Sequence, residues 1–350
     1  MKAAVLYGNQ DIRYEERPEP KISSGMVKVR VKACGICGSD IPRVLNNGAH
    51  FYPIVLGHEF SGYVAEVAPD VTNLKVGDHI SGVPLLPCMK CEDCLRGNYS
   101  QCKHYSFIGS REQGGYADYV VLPERNAVKV EPSLPYEQAA LFEPCTVALH
   151  GLKINEYQGG KTVAVLGNGT IGMFTQQWAK LFGSRLLAVL GRNKERFEIS
   201  KRLGADYTIN TLDENYMEQA MEITNGRGFD YVFETAGSTF TLKLAFEIAA
   251  NHANICFIGT PTQDLSFTPK QWENMNRKEF RVTGSWMSGC APFPGDEWTM
   301  TADFFARGDL KYDPAMIYKR FSLRDADKAF HEFEQRDKVK GRIMLVNAEG

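Results

Sequence analysis

Directly after the apolar run Lys161-Thr162-Val163-Ala164-Val165-Leu166 stands the turn Gly167-Asn168-Gly169-Thr170-Ile171-Gly172. Behind it Ile171, Phe174, Trp178, Leu181 and Phe182 fall at helical spacing, and Gly183 offers a stop. Glycines at this spacing mean little alone; between a strand and a helix they predict a dinucleotide site. The first glycine permits a tight turn, the second lets a diphosphate approach the backbone, and the third lets the helix pack on the strand. The diphosphate then meets the positive end of the helix dipole. Gly167, Gly169, Thr170, Ile171 and Gly172 are therefore the candidate cofactor residues, weighed against a glycine-rich turn that binds no nucleotide.

The surrounding pattern extends this reading. A second strand over Arg185–Leu190 precedes a helix from Lys194 to Leu203, ended by Gly204, and later strands are expected at Phe229–Phe233 and Ala253–Ile258. Strand alternating with helix implies a parallel, doubly wound sheet. The preceding part is different: Val27–Val31, Gly62–Val67 and Tyr116–Val121 alternate as half-buried strands between Gly- and Pro-rich loops. It predicts a β-rich barrel or sandwich. The last stretch loses the alternation and is expected to return to that first domain. The boundaries expected are thus 1–150 with 285–350 for the β-rich domain and 151–284 for the nucleotide domain. Two domains suit 350 residues at roughly 150 per domain.

Composition narrows the partners. Lys plus Arg (40) nearly cancels Asp plus Glu (42), leaving a net charge of −2, so no single-sign field is available for nucleic acid. No apolar run approaches the roughly 18 residues of a membrane helix. The apolar stretch in Met1–Gly8 is too short for a signal peptide, so the expected location is cytoplasmic.

Four of the nine cysteines fall together as Cys88-x-x-Cys91-x-x-Cys94-x7-Cys102. Tetrahedral zinc takes four thiolates at roughly 2.3 Å, and two-residue gaps let a turning backbone point successive sulfurs inward. With every position filled there is no room for water, so the ion expected here is structural. Free or disulfide-paired cysteines are the alternative, which this spacing disfavours. A second, dispersed constellation holds Cys37 in Cys34-Gly35-Ile36-Cys37-Gly38-Ser39-Asp40, His58 in Gly57-His58-Glu59, and Glu143 in Phe142-Glu143-Pro144. One Cys, one His and a carboxylate suit an open zinc site whose last position takes an alcohol oxygen. From spacing alone the alternatives stay open: Cys34 and Cys37 as a redox pair, and His58 as an ordinary packed histidine.

These motifs, in this order, resemble the zinc-containing medium-chain dehydrogenases over essentially the whole chain. Glu143 in Phe-Glu-Pro resembles the polyol branch, because alcohol dehydrogenases of the liver type carry a cysteine ligand there. The strings Asn47–Pro53, Val83–Cys88, Phe107–Arg111, Gly284–Met287 and Pro294-Gly295-x-x-Trp298 are similar to its polyol phosphate members. The resemblance implies a GroES-like β-rich catalytic domain beside a Rossmann domain, with two zinc ions per chain. It implies Cys37, His58 and Glu143 around the catalytic zinc, with Glu59 as a direct ligand or a base close behind. Ser39 matches the hydroxyl that passes the substrate proton outward, and Asp40 the residue that orients the metal site. The histidine usual soon after that hydroxyl is absent, Arg43 standing nearby, so the proton is expected to leave through Glu59 and water.

The implied reaction is hydride transfer between a polyol or polyol phosphate and a nicotinamide cofactor. NAD-preferring members end the second nucleotide-domain strand with an acidic residue. Here Gly191-Arg192 stands in its place, and Arg192 can pair with a 2′-phosphate, so NADP(H) is expected over NAD(H). The alternative is an Arg192 that only solvates the strand end. Arg43 and Arg111 are the candidate grips for a substrate phosphate. A homodimer is expected, or a tetramer, with Ala253–Ile258 as the pairing edge strand. A rival of another class is a non-catalytic zinc and nucleotide sensor; the filled catalytic-zinc positions speak against it.

Overall fold

Every residue of strand β1, Thr162–Leu166, is buried, as a strand covered on both faces must be. The other strands of its sheet are β2 (Leu186–Gly191), β3 (Tyr207–Asn210), β4 (Phe229–Glu234), β5 (Ala249–Phe257) and β6 (Arg281–Gly284). They lie in the order 3-2-1-4-5-6, all pairs parallel. The connection changes direction beside β1, which is where doubly wound sheets take ligands. Gly167 turns there with φ +109°, a conformation that only glycine adopts without strain, and its N–H donates to the Leu190 carbonyl at 2.8 Å. The helix Thr170–Leu181 follows at once, with Met173, Phe174 and Trp178 on its buried side.

One sequence expectation is corrected here. Ala253–Ile258 was expected at the sheet edge, yet β5 is hydrogen-bonded to β4 on one side and β6 on the other. Its Ala253, Ile255 and Cys256 are buried, and so apolar a strand is stable only with neighbours on both sides. The edge on that side is β6, whose Arg281 and Val282 are exposed.

The computed structural model describes residues 1–347, so the last three positions of the expected 285–350 segment lie outside the described residues. It divides into two units. The nucleotide unit comprises Pro144–Met287 with Asp309–Asp313; the other comprises Met1–Glu143, Ser288–Gly308 and the chain from Pro314 onward. Among the described residues, no helix is long and apolar enough to cross a membrane.

The second unit is organised around the strand Met26–Gly35, which buries alternate residues, Val27, Val29 and Val31. Each such valine contributes about 1.5–3 kcal/mol over the exposed state. The strand runs antiparallel to Glu59–Val67 on one side and to Arg342–Val346 on the other. Its terminal Gly35 stands opposite both Glu59 and Met344. Residues 35–37, 58–59 and 342–344 therefore converge although they are far apart in the chain.

Candidate metal centre and nucleotide turn

The loop after Gly35 is pinned to the last strand. Ile36 N–H donates to the Ile343 carbonyl at 2.9 Å, and Arg342 Nη1 donates to the Ile36 carbonyl at 2.8 Å. Cys37 then faces His58 and Glu59, and one ligand atom from each lies within 4.8 Å of the other two. Burial pushes the Cys37 thiol up to about 12, with the Glu59 carboxylate adding to the shift. Glu143, in the first turn of the helix Phe142–Ile154, is pushed up to about 8 by burial, His58 opposing the rise and Glu59 and Cys37 adding to it. Cys37, His58 and Glu59 thus form one cluster; Glu143 is not among the three but lies within reach of their charges.

The donor set fits a cation. Both carboxylate oxygens of Glu59 are buried without a hydrogen-bond partner, an arrangement that costs free energy unless a charge of opposite sign answers it. Arg342 Nη2 stands 3.1 Å from Glu59 Oε1 and answers part of it. A soft thiolate, an imidazole and carboxylates are what zinc takes in an open site.

Asp40 backs this cluster. It is fully buried, and its Oδ2 accepts from the Tyr116 hydroxyl at 3.0 Å and lies 3.5 Å from His58 Nδ1. Its Oδ1 accepts from Arg43 Nη1 at 3.1 Å, and the same nitrogen donates to the Ser39 carbonyl and hydroxyl at 2.9 and 3.1 Å. A carboxylate behind a metal-binding imidazole fixes its orientation. Ser39 is exposed, whereas Glu59 is fully enclosed, so of the two it is Ser39 that meets solvent.

The two candidate phosphate grips lie on this unit as well. Arg111 stacks its guanidinium 4.8 Å above the Tyr105 ring and donates to the Tyr105 hydroxyl at 3.5 Å. His50 is held below its ordinary pKa by partial burial first, then by the charges of Arg111 and Arg43. His50 therefore stands in the field of both arginines as a neutral imidazole; no spacing rule in the sequence marks it.

The four-cysteine loop closes on itself. The helix Glu92–Leu95 carries Cys94, and the turn Tyr99–Gln101 returns the chain so that Cys102 meets the others. All four sulfurs lie within 4.8 Å of one another, and none is in a disulfide. The Lys90 backbone N–H, more than any other group, holds the Cys88 thiol down to about 6. Cys91 is lowered chiefly by the Cys94 backbone, while burial lifts Cys94 to about 12. The set fits a closed tetrahedral zinc site.

At the nucleotide turn Gly169 caps the helix that begins at Thr170. Gly191 ends β2, and Arg192 beyond it is exposed. Asn168, between the first two glycines, is buried and donates from Nδ2 to the Asn193 carbonyl at 2.9 Å. Asn193 in turn caps the helix Lys194–Arg202, accepting from the N–H groups of Glu195 and Arg196. Besides Asn168 and His50, sequence reasoning missed Arg342 and Tyr116, whose places depend on pairing between distant strands.

Comparison with known proteins agrees with this geometry. A family model described as alcohol dehydrogenase GroES-like domain matches residues 23–132, and one described as zinc-binding dehydrogenase matches residues 170–307. Galactitol 1-phosphate 5-dehydrogenase of Escherichia coli K12 is 37% identical over 347 residues, covering 99% of this chain and all of that one. The crystal structure of galactitol-1-phosphate dehydrogenase from Escherichia coli superposes with a TM-score of 0.93 at 36% identity, covering 99% of this chain and 100% of its own. Sorbitol dehydrogenase of Bacillus subtilis 168 is 34% identical over 75% of this chain and 76% of its own. A zinc-binding dehydrogenase from Sinorhizobium meliloti 1021, solved bound to NADP, gives a TM-score of 0.88 at 27% identity, covering 99% of both chains.

Proposed function

Since this chain belongs to the zinc-type alcohol and polyol dehydrogenases, we propose that it oxidises galactitol 1-phosphate at C5, giving tagatose 6-phosphate, with NADP⁺ as hydride acceptor. The observation that carries the substrate class is the pair of cations Arg43 and Arg111, both acting on His50, on the same unit as the Cys37–His58–Glu59 cluster. A phosphate ester brings the charge that such a pair recognises. Relatives that act on sorbitol support an alternative, another polyol or polyol phosphate such as arabitol phosphate or free sorbitol.

Cys37, His58 and Glu143, with Glu59 against them, are the residues that hold the catalytic zinc, and Cys88, Cys91, Cys94 and Cys102 hold the structural one. A zinc ion bound by the first set would supply Lewis acidity that makes an alcohol's O–H proton easy to lose near neutral pH. Asp40 keeps the His58 ring in one orientation, and Arg342 balances the negative charge that Glu59, Cys37 and Glu143 concentrate. The exposed Ser39 hydroxyl takes the substrate proton towards water. Gly167, Gly169, Thr170, Ile171 and Gly172 carry the cofactor diphosphate, and Arg192 the 2′-phosphate. Two copies pair through the exposed edge β6 as a homodimer, and the location is cytoplasmic.

Initial rates with galactitol and galactitol 1-phosphate, each against NAD⁺ and NADP⁺, test this directly. Turnover confined to the phosphate ester and faster with NADP⁺ is expected. Equal rates on the free polyol would overturn the phosphate reading and favour the sorbitol-type one.

A further inference from the structure

The end of β2 is closed to a side chain. A Cβ built on Gly191 would stand 2.6 Å from Asn168 Oδ1 and 3.0 Å from its Nδ2, well inside van der Waals contact. Asn168 cannot simply swing aside. It is only 6% exposed, its Nδ2 is engaged with the Asn193 carbonyl, and its backbone belongs to the glycine turn that Gly167 ties to Leu190. Leu190 before Gly191 is wholly buried and Arg192 after it is exposed, so position 191 is where a strand-end side chain would enter the turn.

The geometry points to Asn168 as a specificity residue that acts jointly with Gly191. Its amide fills the space from which an acidic side chain would grip the ribose 2′-hydroxyl of a dinucleotide. The 2′ position is then left to cations. Arg192 is exposed at the strand end, and Arg196 Nη1 comes within 3.8 Å of where a Cβ on Gly169 would stand. A carboxylate would compete with a 2′-phosphate, and an amide does not. The inference deepens the NADP reading and rests on a dinucleotide binding at the glycine turn. Its own content is that the amide and the missing side chain are one device: Gly191→Asp alone cannot create an NAD site, because Asn168 stands in the way.

The test is a double-mutant cycle read by binding rather than turnover. Zinc-loaded protein, with Gly191→Asp, Asn168→Ala and the double variant, is titrated with NADPH and with NADH, and each dissociation constant is taken from nicotinamide fluorescence. Gly191→Asp alone is expected to weaken both cofactors and to shift their ratio far less than the double variant does. The double variant is expected to regain NADH, so that the NADPH-to-NADH preference moves by about tenfold or more relative to Gly191→Asp, the size of a single restored bond to a charged group. Two results would overturn the inference: Gly191→Asp alone shifting the ratio as far as the double variant, or the double variant showing only the sum of the single effects. A purely structural role for Asn168 predicts the second of these. If Gly191→Asp does not fold, Gly191→Ala replaces it, with loss of both cofactors alone and recovery when Asn168→Ala is added. A wild-type protein that prefers NADH would end the NADP reading, while the cycle would still decide whether Asn168 blocks position 191.

Discussion

The four-cysteine loop and the Cys37 cluster lie in the same unit, one offering four thiols and the other a thiol, an imidazole and carboxylates, and they treat their protons differently. In the loop, backbone N–H groups point at the sulfurs and hold Cys88 down to about 6, while burial lifts Cys94 to about 12. In the cluster, burial dominates: Cys37 is pushed up to about 12 and Glu143 to about 8. The loop is preorganised locally by its own turns. The cluster is preorganised by the fold, which brings three strand ends together and leaves ligand atoms without partners. The loop therefore suits a closed ion site, and the cluster keeps enclosed ligand atoms, which the proposed function assigns to the reacting ion.

The largest expected effect breaks the comparison at its centre. Cys37→Ser should abolish dehydrogenase activity and remove one of the two metal ions that the clusters can hold, while leaving the loop's ion and the thermal unfolding of its peptide segment intact. Cys88→Ser should also remove one ion, but with loss of stability rather than of chemistry. Metal analysis beside activity on the same samples separates them. Activity surviving Cys37→Ser would mean that the buried cluster is not the reacting site.

The next effect concerns reactivity. Thiolates, not thiols, are alkylated. After chelation, iodoacetamide at about pH 7 should label Cys88 well before the half-buried Cys37. Acidification through about 6 protonates Cys88 and should suppress its labelling. Cys37, with its pKa about 12, stays protonated and unlabelled throughout that range. Zinc should protect Cys88 outright. Peptide mass spectrometry reads each site, and faster labelling at Cys37 would reverse the assignment of the two environments.

The same contrast explains what could be read from the chain. The loop's ligands lie within Cys88–Cys102, so their spacing alone reports the site. The glycine turn is equally local, since strand, turn and helix are consecutive. Arg342 is found only because Arg342–Val346 pairs with Met26–Gly35, and nothing near Cys37 in the chain announces that register. Tyr116 reaches Asp40 across 76 residues. The misplaced sheet edge has the same origin: Ala253–Ile258 shows by its apolar residues that it is a strand, but hydrophobicity does not name its neighbours. Short β6, with Arg281 and Val282 in solvent, carries no pattern strong enough to claim the edge.

A smaller effect probes how the cluster is oriented. Asp40→Asn keeps the shape but removes the charge facing His58, Arg43 and Tyr116. Partners of this kind are worth about 10–100-fold in metal affinity or activity. A loss of that size, measured by chelator competition and by kcat/KM, is expected, and no change in either would remove Asp40 from the site.

The smallest effect tests whether Asp40 or the phenol above it does the orienting. Tyr116 is buried, donates to Asp40 Oδ2 at 3.0 Å and to the Gly35 carbonyl at 3.3 Å. Tyr116→Phe removes those bonds and little volume, so the packing around Gly35 survives. A bond to a charged acceptor is worth about 1.5–3 kcal/mol, and most of that loss should appear as lower stability of the metal-free protein, because Arg43 and His58 still face the carboxylate. Metal affinity should fall by less than in Asp40→Asn. Burial first, and then the Asp40 charge, hold the phenol well above its ordinary pKa, so it remains a neutral donor and the variant's effect should not change with pH across the neutral and mildly alkaline range. A Tyr116→Phe loss as large as that of Asp40→Asn, or one that grows as pH rises, would move the orienting role from the carboxylate to the phenol.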